Sequence, residues 1–342
     1  MKRRIAALVS AVWLILNLAA CGGPGVVMQF GSAKITEPMY QYWKTTFKEY
    51  ILESFSDAED TAAFWNREAL EGVTMQEYME EIITANIQKN LVCMKLFDDY
   101  KLTIPKETSD GIEADIADLL DSYGSKAALN ASLAAYGINA DILKDIYTIE
   151  GKISAVSEYL ESEGIVVPTD EQLEEYYLAN YGRILYLTFH LYRVETDENG
   201  KSSYYSLTDE ERAEKEETIQ AAMDEIEAGA DFSEVMAKYS EESLEGYENG
   251  VYISNANAGY EIIARAMAME VGEVKRVDQT NVVYIVKRLE PEKKPYLNDT
   301  MGQFADLAQN CMDEVLQNYL AGFFDQIRVN EDLCAKYPLS EL

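Results

Sequence analysis

Histidine is nearly absent from this sequence, which has one, His190, among 342 residues. Zinc sites usually need several histidine or cysteine ligands at short spacing, and the sequence shows no such cluster. It also lacks the glycine-rich loops Gly-x-x-x-x-Gly-Lys and Gly-x-Gly-x-x-Gly, which bind phosphates and dinucleotides. A serine or cysteine hydrolase would depend on His190, and no nucleophile elbow accompanies it. We therefore expect neither a metal nor a cofactor.

Long apolar runs are also scarce, and the clearest one stands near the start of the chain. It extends from Ile5 to Leu18 after the basic Met-Lys-Arg-Arg, and it is shorter than the roughly 20 apolar residues that span a bilayer. The small residues and the cysteine that follow resemble a bacterial lipobox, so residues 1–21 are predicted to be a secretory signal that ends at a lipidated Cys21. The lipid would hold the protein at the outer face of the bacterial cytoplasmic membrane. The alternatives are a plain signal peptide and an uncleaved anchor.

Cysteine is rare, with four in the chain. Once Cys21 is set aside, Cys93, Cys311 and Cys334 are an odd number at wide spacing, which is not the pattern of a disulfide framework. Cys93 and Cys311 stand in apolar helical patterns, where a thiol behaves as a small hydrophobic group. A bridge between Cys311 and Cys334 is an open alternative that nothing in this pattern supports.

Basic residues are outnumbered, since 29 Lys and Arg stand against 61 Asp and Glu, and the formal net charge is -32. A protein this acidic is repelled by nucleic acid and by anionic lipid headgroups. We therefore expect no nucleic acid as a partner. A hydrophobic content of 48% supports a packed core, and the length is sufficient for two domains. The charge favours solubility and does not by itself indicate a function.

Apolar residues recur at i, i+3 and i+4 along most of the first half of the chain, which predicts amphipathic helices. The predicted helices after Thr36 include Met75–Tyr100, Gly111–Tyr123, Ser125–Tyr136 and Ala140–Glu163. A last long helix is predicted over Asp299–Arg328. Its apolar stripe needs a partner, and the N-terminal helices have the nearest unpaired apolar faces. We therefore expect the chain to return to its first domain.

The pattern changes in the middle of the chain, where the run Ile184–Val194 is rich in β-formers. Capping boxes at Thr169 and Thr208 predict the starts of two helices. A polar turn or a small excursion is predicted over Glu195–Ser206, and a further strand at Val282–Val286. This change predicts a second module that contains both strands and helices.

Four stretches of this module carry a resemblance. They are Thr188-Phe189-His190-Leu191, Gly229–Ser240 with its Gly-x-x-Phe start, Ala266–Val274 with its Gly-Glu-Val end, and Val283–Lys287. In this order they resemble the domain of parvulin-type peptidyl-prolyl isomerases. With the lipobox and the flanking helices, they resemble PrsA-type foldase lipoproteins over nearly the whole mature chain.

The resemblance implies an α+β fold. A mainly helical chaperone domain would consist of residues 22–181 together with 291–342, and an inserted parvulin-like domain of residues 182–290 would contain a small antiparallel sheet with helices. The resemblance also implies a function, which is to assist the folding of exported proteins. The implied partners are unfolded or partly folded chains, and the implied activity is peptidyl-prolyl cis-trans isomerisation.

The same resemblance assigns three residues to catalysis. His190 matches the first of the two histidines of the family, Glu242 stands at its Cys or Asp position, and Tyr284 replaces its second histidine. Tyr284 can be expected to hydrogen-bond His190 across the sheet.

Three further residues are assigned to substrate binding. Ala258 and Ile262 fall at the Met and Phe pocket walls of the family, and Met267 stands at a further Phe position. These smaller or altered walls depart from the family pattern, and we expect them to weaken the proline pocket.

The chemistry at issue is rotation about an X-Pro bond, whose barrier is about 18–20 kcal/mol. A catalyst needs no covalent step, only an apolar pocket for the ring and stabilisation of the twisted amide. Because several positions are substituted, two hypotheses stay open: a foldase with a working isomerase module, and a non-catalytic holdase whose module only binds. A solute-binding lipoprotein is a third, and it predicts alternating βαβ units that the sequence does not show.

Overall fold

The computed structural model describes residues 24–55, 58–197, 199–243, 245–247 and 249–342. The predicted signal segment and the predicted lipidation site at Cys21 lie outside these ranges. Within them, no helix combines the length and the apolarity needed to cross a bilayer.

The chain folds into two compact units. The first, which we call the helical unit, comprises the described residues up to Val167 together with Glu314–Leu342. The second, the sheet unit, comprises Pro168–Asp313 and is inserted in the first. The α+β class is confirmed, with one unit built from both ends of the chain and an antiparallel sheet in the inserted unit.

The described residues form twelve α-helices and eleven β-strands. In order they are β1 (Val26–Phe30), β2 (Ala33–Thr36), α1 (Glu37–Ser54), α2 (Ala62–Trp65), β3 (Glu68–Leu70), β4 (Val73–Thr74), α3 (Met75–Asp99), α4 (Lys106–Ser122), α5 (Lys126–Leu133), α6 (Ala140–Ser162), α7 (Asp170–Asn180), β5 (Tyr181–His190), β6 (Tyr192–Thr196), β7 (Ser202–Ser206), α8 (Asp209–Glu227), α9 (Phe232–Tyr239), β8 (Val251–Ser254), α10 (Glu261–Met267), β9 (Val274–Asp278), β10 (Val282–Leu289), α11 (Leu307–Ala321), β11 (Arg328–Val329) and α12 (Glu331–Cys334).

The helical unit is held together by the apolar stripes of its helices. Ile87 and Leu91 of α3 and Ile146 of α6 are fully buried in one cluster. A second cluster joins Leu320 of α11 to Val92 of α3 and to neighbouring apolar side chains. The chain therefore does return to the N-terminal helices, as the unpartnered stripe predicts.

The last helix is shorter than the predicted span of Asp299–Arg328. The carboxylate of Asp299 accepts hydrogen bonds from the backbone N–H groups of Gln303 and Phe304 at 2.9 and 2.8 Å. Gly302 lies in the left-handed region with φ +69°, a conformation that a helix interior does not adopt. The chain beyond α11 enters β11, which pairs with β1. A local turn and a strand thus replace the two ends of the predicted helix.

The sheet unit extends beyond residues 182–290 on both sides. It also contains α7 and the segment that leads to Asp313. Tyr177, Tyr181, Phe304 and Leu307 are buried together in one cluster, so both flanking segments share a core within this unit.

The antiparallel sheet of this unit has the strand order β8-β5-β10-β9. The central pair β5–β10 is in continuous register from Arg183 opposite Leu289 to His190 opposite Val282. Because side chains alternate along a strand, Leu187 and Phe189 face one side, where they pack with α8 and α9. The other side is covered by α10 and carries Tyr186, Thr188 and His190.

The predicted strand Ile184–Val194 is two strands in the structure. β5 ends at His190, and β6 begins at Tyr192 and pairs with β7 in a separate two-stranded sheet. The polar segment predicted as a turn is therefore a β-hairpin, with tyrosines at positions 204 and 205 in its second strand.

Candidate functional site

The candidate site lies at the end of β5, on the sheet face that α10 covers. Thr188 and His190 point to this face because they are two residues apart in a strand. Thr188 is completely buried, whereas the side chain of His190 retains 24% of its exposure. The strand thus carries an imidazole to the edge of the core, where a ligand can reach it.

The segment after α9 is attached to the same strand by hydrogen bonds to the backbone of Thr188. The N–H of Thr188 donates to Ser240 Oγ at 3.1 Å, and the N–H of Glu241 donates to the carbonyl of Thr188 at 2.9 Å. Ser240 Oγ in turn donates to the carbonyl of Glu242 at 2.8 Å. These bonds fix the position of Glu242 beside β5.

Glu242 contacts both polar side chains of the strand end. Its Oε1 lies 3.3 Å from His190 Nε2, and its Oε2 accepts a hydrogen bond from Thr188 Oγ1 at 3.4 Å. The backbone N–H of His190 donates to Oε2 of Glu241 at 2.6 Å, and Glu241 is also paired with Lys215. His190 and Glu242 are therefore in contact, with Thr188 as a third member.

Tyr284 stands on the same face in the neighbouring strand β10. It lies opposite Thr188, and its ring meets that of Tyr186 edge-on, with the centroids 5.8 Å apart. Burial raises the pKa of Tyr284, and the charge of Glu242 raises it further. Burial and the same carboxylate also raise the pKa of Tyr186. Both phenols therefore keep their protons and can act as hydrogen-bond donors.

The expected hydrogen bond between Tyr284 and His190 is not formed between these two described residues. The register explains this, because His190 lies opposite Val282 and Tyr284 lies two residues further along β10. The two side chains are diagonal neighbours on one face, and diagonal pairs in antiparallel sheets are about 7–8 Å apart.

The predicted substrate-binding residues lie around α10. Ile262 and Met267 belong to this helix and pack on the same apolar cluster as Tyr186 and Tyr284. Ala258 follows the short 3-10 turn Asn255–Asn257 and is exposed. The structure thus brings Ile262 and Met267 to the core under the candidate face and leaves Ala258 in the turn before the helix.

Thr188, Glu241 and Tyr192 are not among the site residues that the sequence predicts. The ring of Tyr192 lies 4.8 Å from the imidazole of His190, centroid to centroid. Period-two spacing around His190 is a signal that could have indicated Thr188. The role of Glu241 depends on a backbone contact between distant segments, for which the sequence carries no signal.

The arrangement can orient a peptide and stabilise partial charge. Among the described residues, no group of three or more His, Cys, Asp or Glu side chains is placed to hold a metal ion. The polar groups are one imidazole, two carboxylates, one threonine hydroxyl and three phenols beside an apolar helix. Such a set can donate hydrogen bonds to a carbonyl oxygen while an apolar group packs on the helix.

Comparison with known proteins gives one curated relative and a set of solved structures. No protein-family model matches the chain. The curated Foldase protein PrsA of Oceanobacillus iheyensis is 23% identical over 269 residues, which cover 76% of this chain and 77% of the relative.

The solved structures that resemble the chain include two PrsA proteins of Bacillus. PrsA from Bacillus subtilis is 18% identical, covers 78% of this chain and 87% of its own, and has a TM-score of 0.25. Peptidylprolyl isomerase (PrsA) from Bacillus cereus is 18% identical. The match covers 79% of this chain and 91% of the relative's chain, with a TM-score of 0.27. The curated relative confirms the resemblance to PrsA-type foldases that the motifs predict, over about three quarters of the chain.

Proposed function

We propose that this protein is an extracytoplasmic foldase that assists the folding of exported polypeptides. The sheet unit binds X-Pro segments of these clients at the face that carries His190. The observation that carries the proposal is the contact of His190 with Glu242, which Thr188 shares, beside the phenol of Tyr284. The similarity to a curated foldase supports the same class.

The geometry supports a mechanism without a covalent step. Glu242 orients the imidazole of His190, and the phenol of Tyr284 donates to the client carbonyl as the amide twists. Loss of amide conjugation is the main part of the barrier of about 18–20 kcal/mol, so donors that act only on the twisted form lower it. Ile262 and Met267 supply the apolar support for the proline ring, and Ala258 lies at its rim.

The membrane attachment is proposed from the sequence. Cleavage before Cys21 and transfer of a diacylglyceryl group to its thiol would anchor the protein to the outer face of the cytoplasmic membrane. Expression of the full chain in a Gram-positive host tests this, with Cys21→Ser against wild type. The wild type should partition into the membrane fraction with incorporated palmitate, and the variant should not incorporate the label. Equal labelling of both proteins would contradict a lipid at Cys21.

Turnover on a short X-Pro peptide tests the catalytic part. The protein without residues 1–21 should accelerate cis-trans exchange of the peptide, measured by exchange NMR. His190→Ala should remove the acceleration while the far-ultraviolet circular dichroism stays unchanged. An acceleration that survives His190→Ala would reject catalysis at this face.

A second candidate is a holdase whose sheet unit binds clients without isomerising them. Two observations favour it: Tyr284 makes no hydrogen bond to His190 in the described structure, and Ala258 offers an exposed methyl group where a large wall residue is expected. A holdase suppresses aggregation of a refolding client, and His190→Ala would not change that suppression. A protein that suppresses aggregation without accelerating exchange is therefore the second candidate.

A solute-binding lipoprotein is disfavoured by the topology. Every strand pair in the described residues is antiparallel. Parallel βαβ units, which that class predicts, need parallel neighbours.

A further inference from the structure

The hairpin β6–β7 carries three large side chains, among smaller polar ones, on the face next to the candidate site. Tyr192 lies opposite Ser206 and Val194 lies opposite Tyr204. Because side chains alternate along each strand, Tyr192, Val194 and Tyr204 share one face of the hairpin. The rings of Tyr192 and Tyr204 meet edge-on, with their centroids 5.4 Å apart.

This face is continuous with His190. The imidazole lies 4.8 Å from the ring of Tyr192, so three rings follow one another from the end of β5 along the hairpin. Tyr192 is also close enough to Tyr284 to contribute to its raised pKa, after burial and Glu242. We call the set of His190, Tyr192, Val194 and Tyr204 the aromatic strip.

The outer part of the aromatic strip is open to solvent. Tyr204 is 68% exposed and Val194 is 49% exposed. A cross-strand pair of this kind adds only a little to the stability of a hairpin, and pairs of polar side chains can contribute as much. An exposed ring directly beside a polar site is a more specific indication of ligand binding. Aromatic rings give rigid contact area and lose little conformational entropy when a ligand binds.

The charged groups located at the inner end of the aromatic strip are carboxylates, since Glu242 lies 3.3 Å from His190 Nε2 and Glu241 accepts from the His190 N–H. The sequence of the hairpin and of the start of α8 is also acidic. Positions 193–217 contain nine acidic and four basic residues. Arg193 is on the opposite face of the hairpin, where it stacks on Tyr205 and pairs with Glu195 and Glu211. The cation nearest to the strip in sequence is therefore already neutralised. A partner with basic side chains beside an apolar one complements this surface.

We propose that the aromatic strip binds the client chain beside its proline, and that it selects a large apolar side chain flanked by lysine or arginine. This inference rests on the proposed function of the His190 face. The ring-centroid separations give a reach of roughly 10 Å from His190, which is about three residues of extended chain. The selected side chain would thus stand about three to four residues from the proline.

Two fluorescein-labelled peptides test the proposal by anisotropy. One is a short core peptide with a single X-Pro bond, and the other adds a tryptophan between two lysines, with the tryptophan four residues from the proline. The wild type should bind the extended peptide about tenfold more tightly than the core peptide. Tyr204→Ser and Val194→Ser should each reduce this preference, and together they should bring it to within about twofold.

Tyr205→Ser is the matched control, because Tyr205 lies on the opposite face of the same hairpin and is 45% exposed. It should leave the preference intact. A preference that survives the double variant, or that Tyr205→Ser abolishes equally, would overturn the proposal. Replacing the two lysines by glutamates should abolish the preference, and an unchanged affinity would overturn the part that concerns charge.

The NMR signal of His190 distinguishes a failure of the aromatic-strip proposal from a failure of the proposed function. If the core peptide shifts the signal of His190 and both peptides bind equally, the proposal about the aromatic strip is wrong and the proposed function stands. If neither peptide shifts that signal, the proposed function fails at this face, and the inference about the aromatic strip falls with it.

Discussion

His190 Nε2 lies 3.3 Å from Glu242 Oε1, although the two residues belong to different segments of the sheet unit. The contact exists because Thr188, two residues before the histidine, holds the other segment by its backbone N–H and carbonyl. The same threonine donates its hydroxyl to Glu242. One strand end therefore positions both the imidazole and the carboxylate that faces it.

Glu242→Gln should lower the isomerisation rate of an X-Pro peptide. The substitution keeps the shape and removes the charge that faces His190, and a hydrogen bond to a charged group contributes about 1.5–3 kcal/mol. We expect kcat/KM to fall about tenfold or more, because 1.36 kcal/mol corresponds to a factor of ten. Glu245→Gln, an exposed residue in the same segment, is the control and should stay within about twofold of wild type. Equal rates for Glu242→Gln and wild type would contradict the role of this carboxylate.

Thr188→Val should act on catalysis through Glu242. Valine has nearly the same shape but cannot donate to the carboxylate, whose Oε2 lies 3.4 Å from the threonine hydroxyl. We expect kcat to fall a few-fold with KM nearly unchanged, and Thr188→Ser to restore most of the loss. A merely structural role would show instead as a lower melting temperature and no rescue by serine.

Phe232→Ala should destabilise the sheet unit. The ring is 3% exposed and packs with Phe189 and Ile219 under the sheet. Truncation of a buried phenylalanine costs about 3–5 kcal/mol through lost burial and the cavity that remains. Urea unfolding monitored by far-ultraviolet circular dichroism measures the change in the free energy of unfolding. Tyr260→Ala, at a ring that is 68% exposed, should stay within about 0.5 kcal/mol of wild type.

The helical unit should lose stability at alkaline pH through its tyrosines. Burial, aided by the hydrogen bond that its hydroxyl donates to Glu37, raises the pKa of Tyr337 to about 12. Because the unfolded state loses this proton near pH 10, the folded state binds more protons between about pH 10 and 12. Stability contributed by Tyr337 is therefore complete below pH 10 and is lost as pH rises through 12.

Tyr337→Phe removes that titration, so its free energy of unfolding should fall less between pH 9 and pH 11.5 than that of wild type. Tyr50→Phe, at a ring that is 67% exposed, should follow the wild-type curve. Identical pH profiles for Tyr337→Phe and wild type would contradict the half-buried hydroxyl bonded to Glu37 that the structure shows.

Much of the fold could be predicted because local signals agree with it. The capping boxes at Thr169 and Thr208 are present and begin α7 and α8. The apolar stripe on the last helix predicts its contact with the first helices, because so much apolar surface cannot stay in water. These signals depend on residues close together in the chain, and the structure follows them.

Other features depend on contacts that the local sequence does not specify. The interruption after Asp299 comes from one carboxylate that accepts two backbone hydrogen bonds, and the hairpin after His190 comes from a pairing of Tyr192–Thr196 with Ser202–Ser206. Likewise, the register of β5 with β10 decides that Tyr284 faces Thr188 instead of His190. The period-two spacing along each strand could indicate which residues share a face, but not which residue lies opposite Tyr284.

The most direct test of the account uses the fact that His190 is the one histidine of the chain. Untagged protein with ¹³C-labelled histidine gives a single imidazole ε1 signal, which reports on the candidate face without further assignment. Titration with an X-Pro peptide should shift this signal with saturation, and Glu242→Gln should weaken the binding. The same peptide with proline replaced by alanine should shift it less. A signal that stays unmoved while the X-Pro peptide binds elsewhere on the protein would contradict the account.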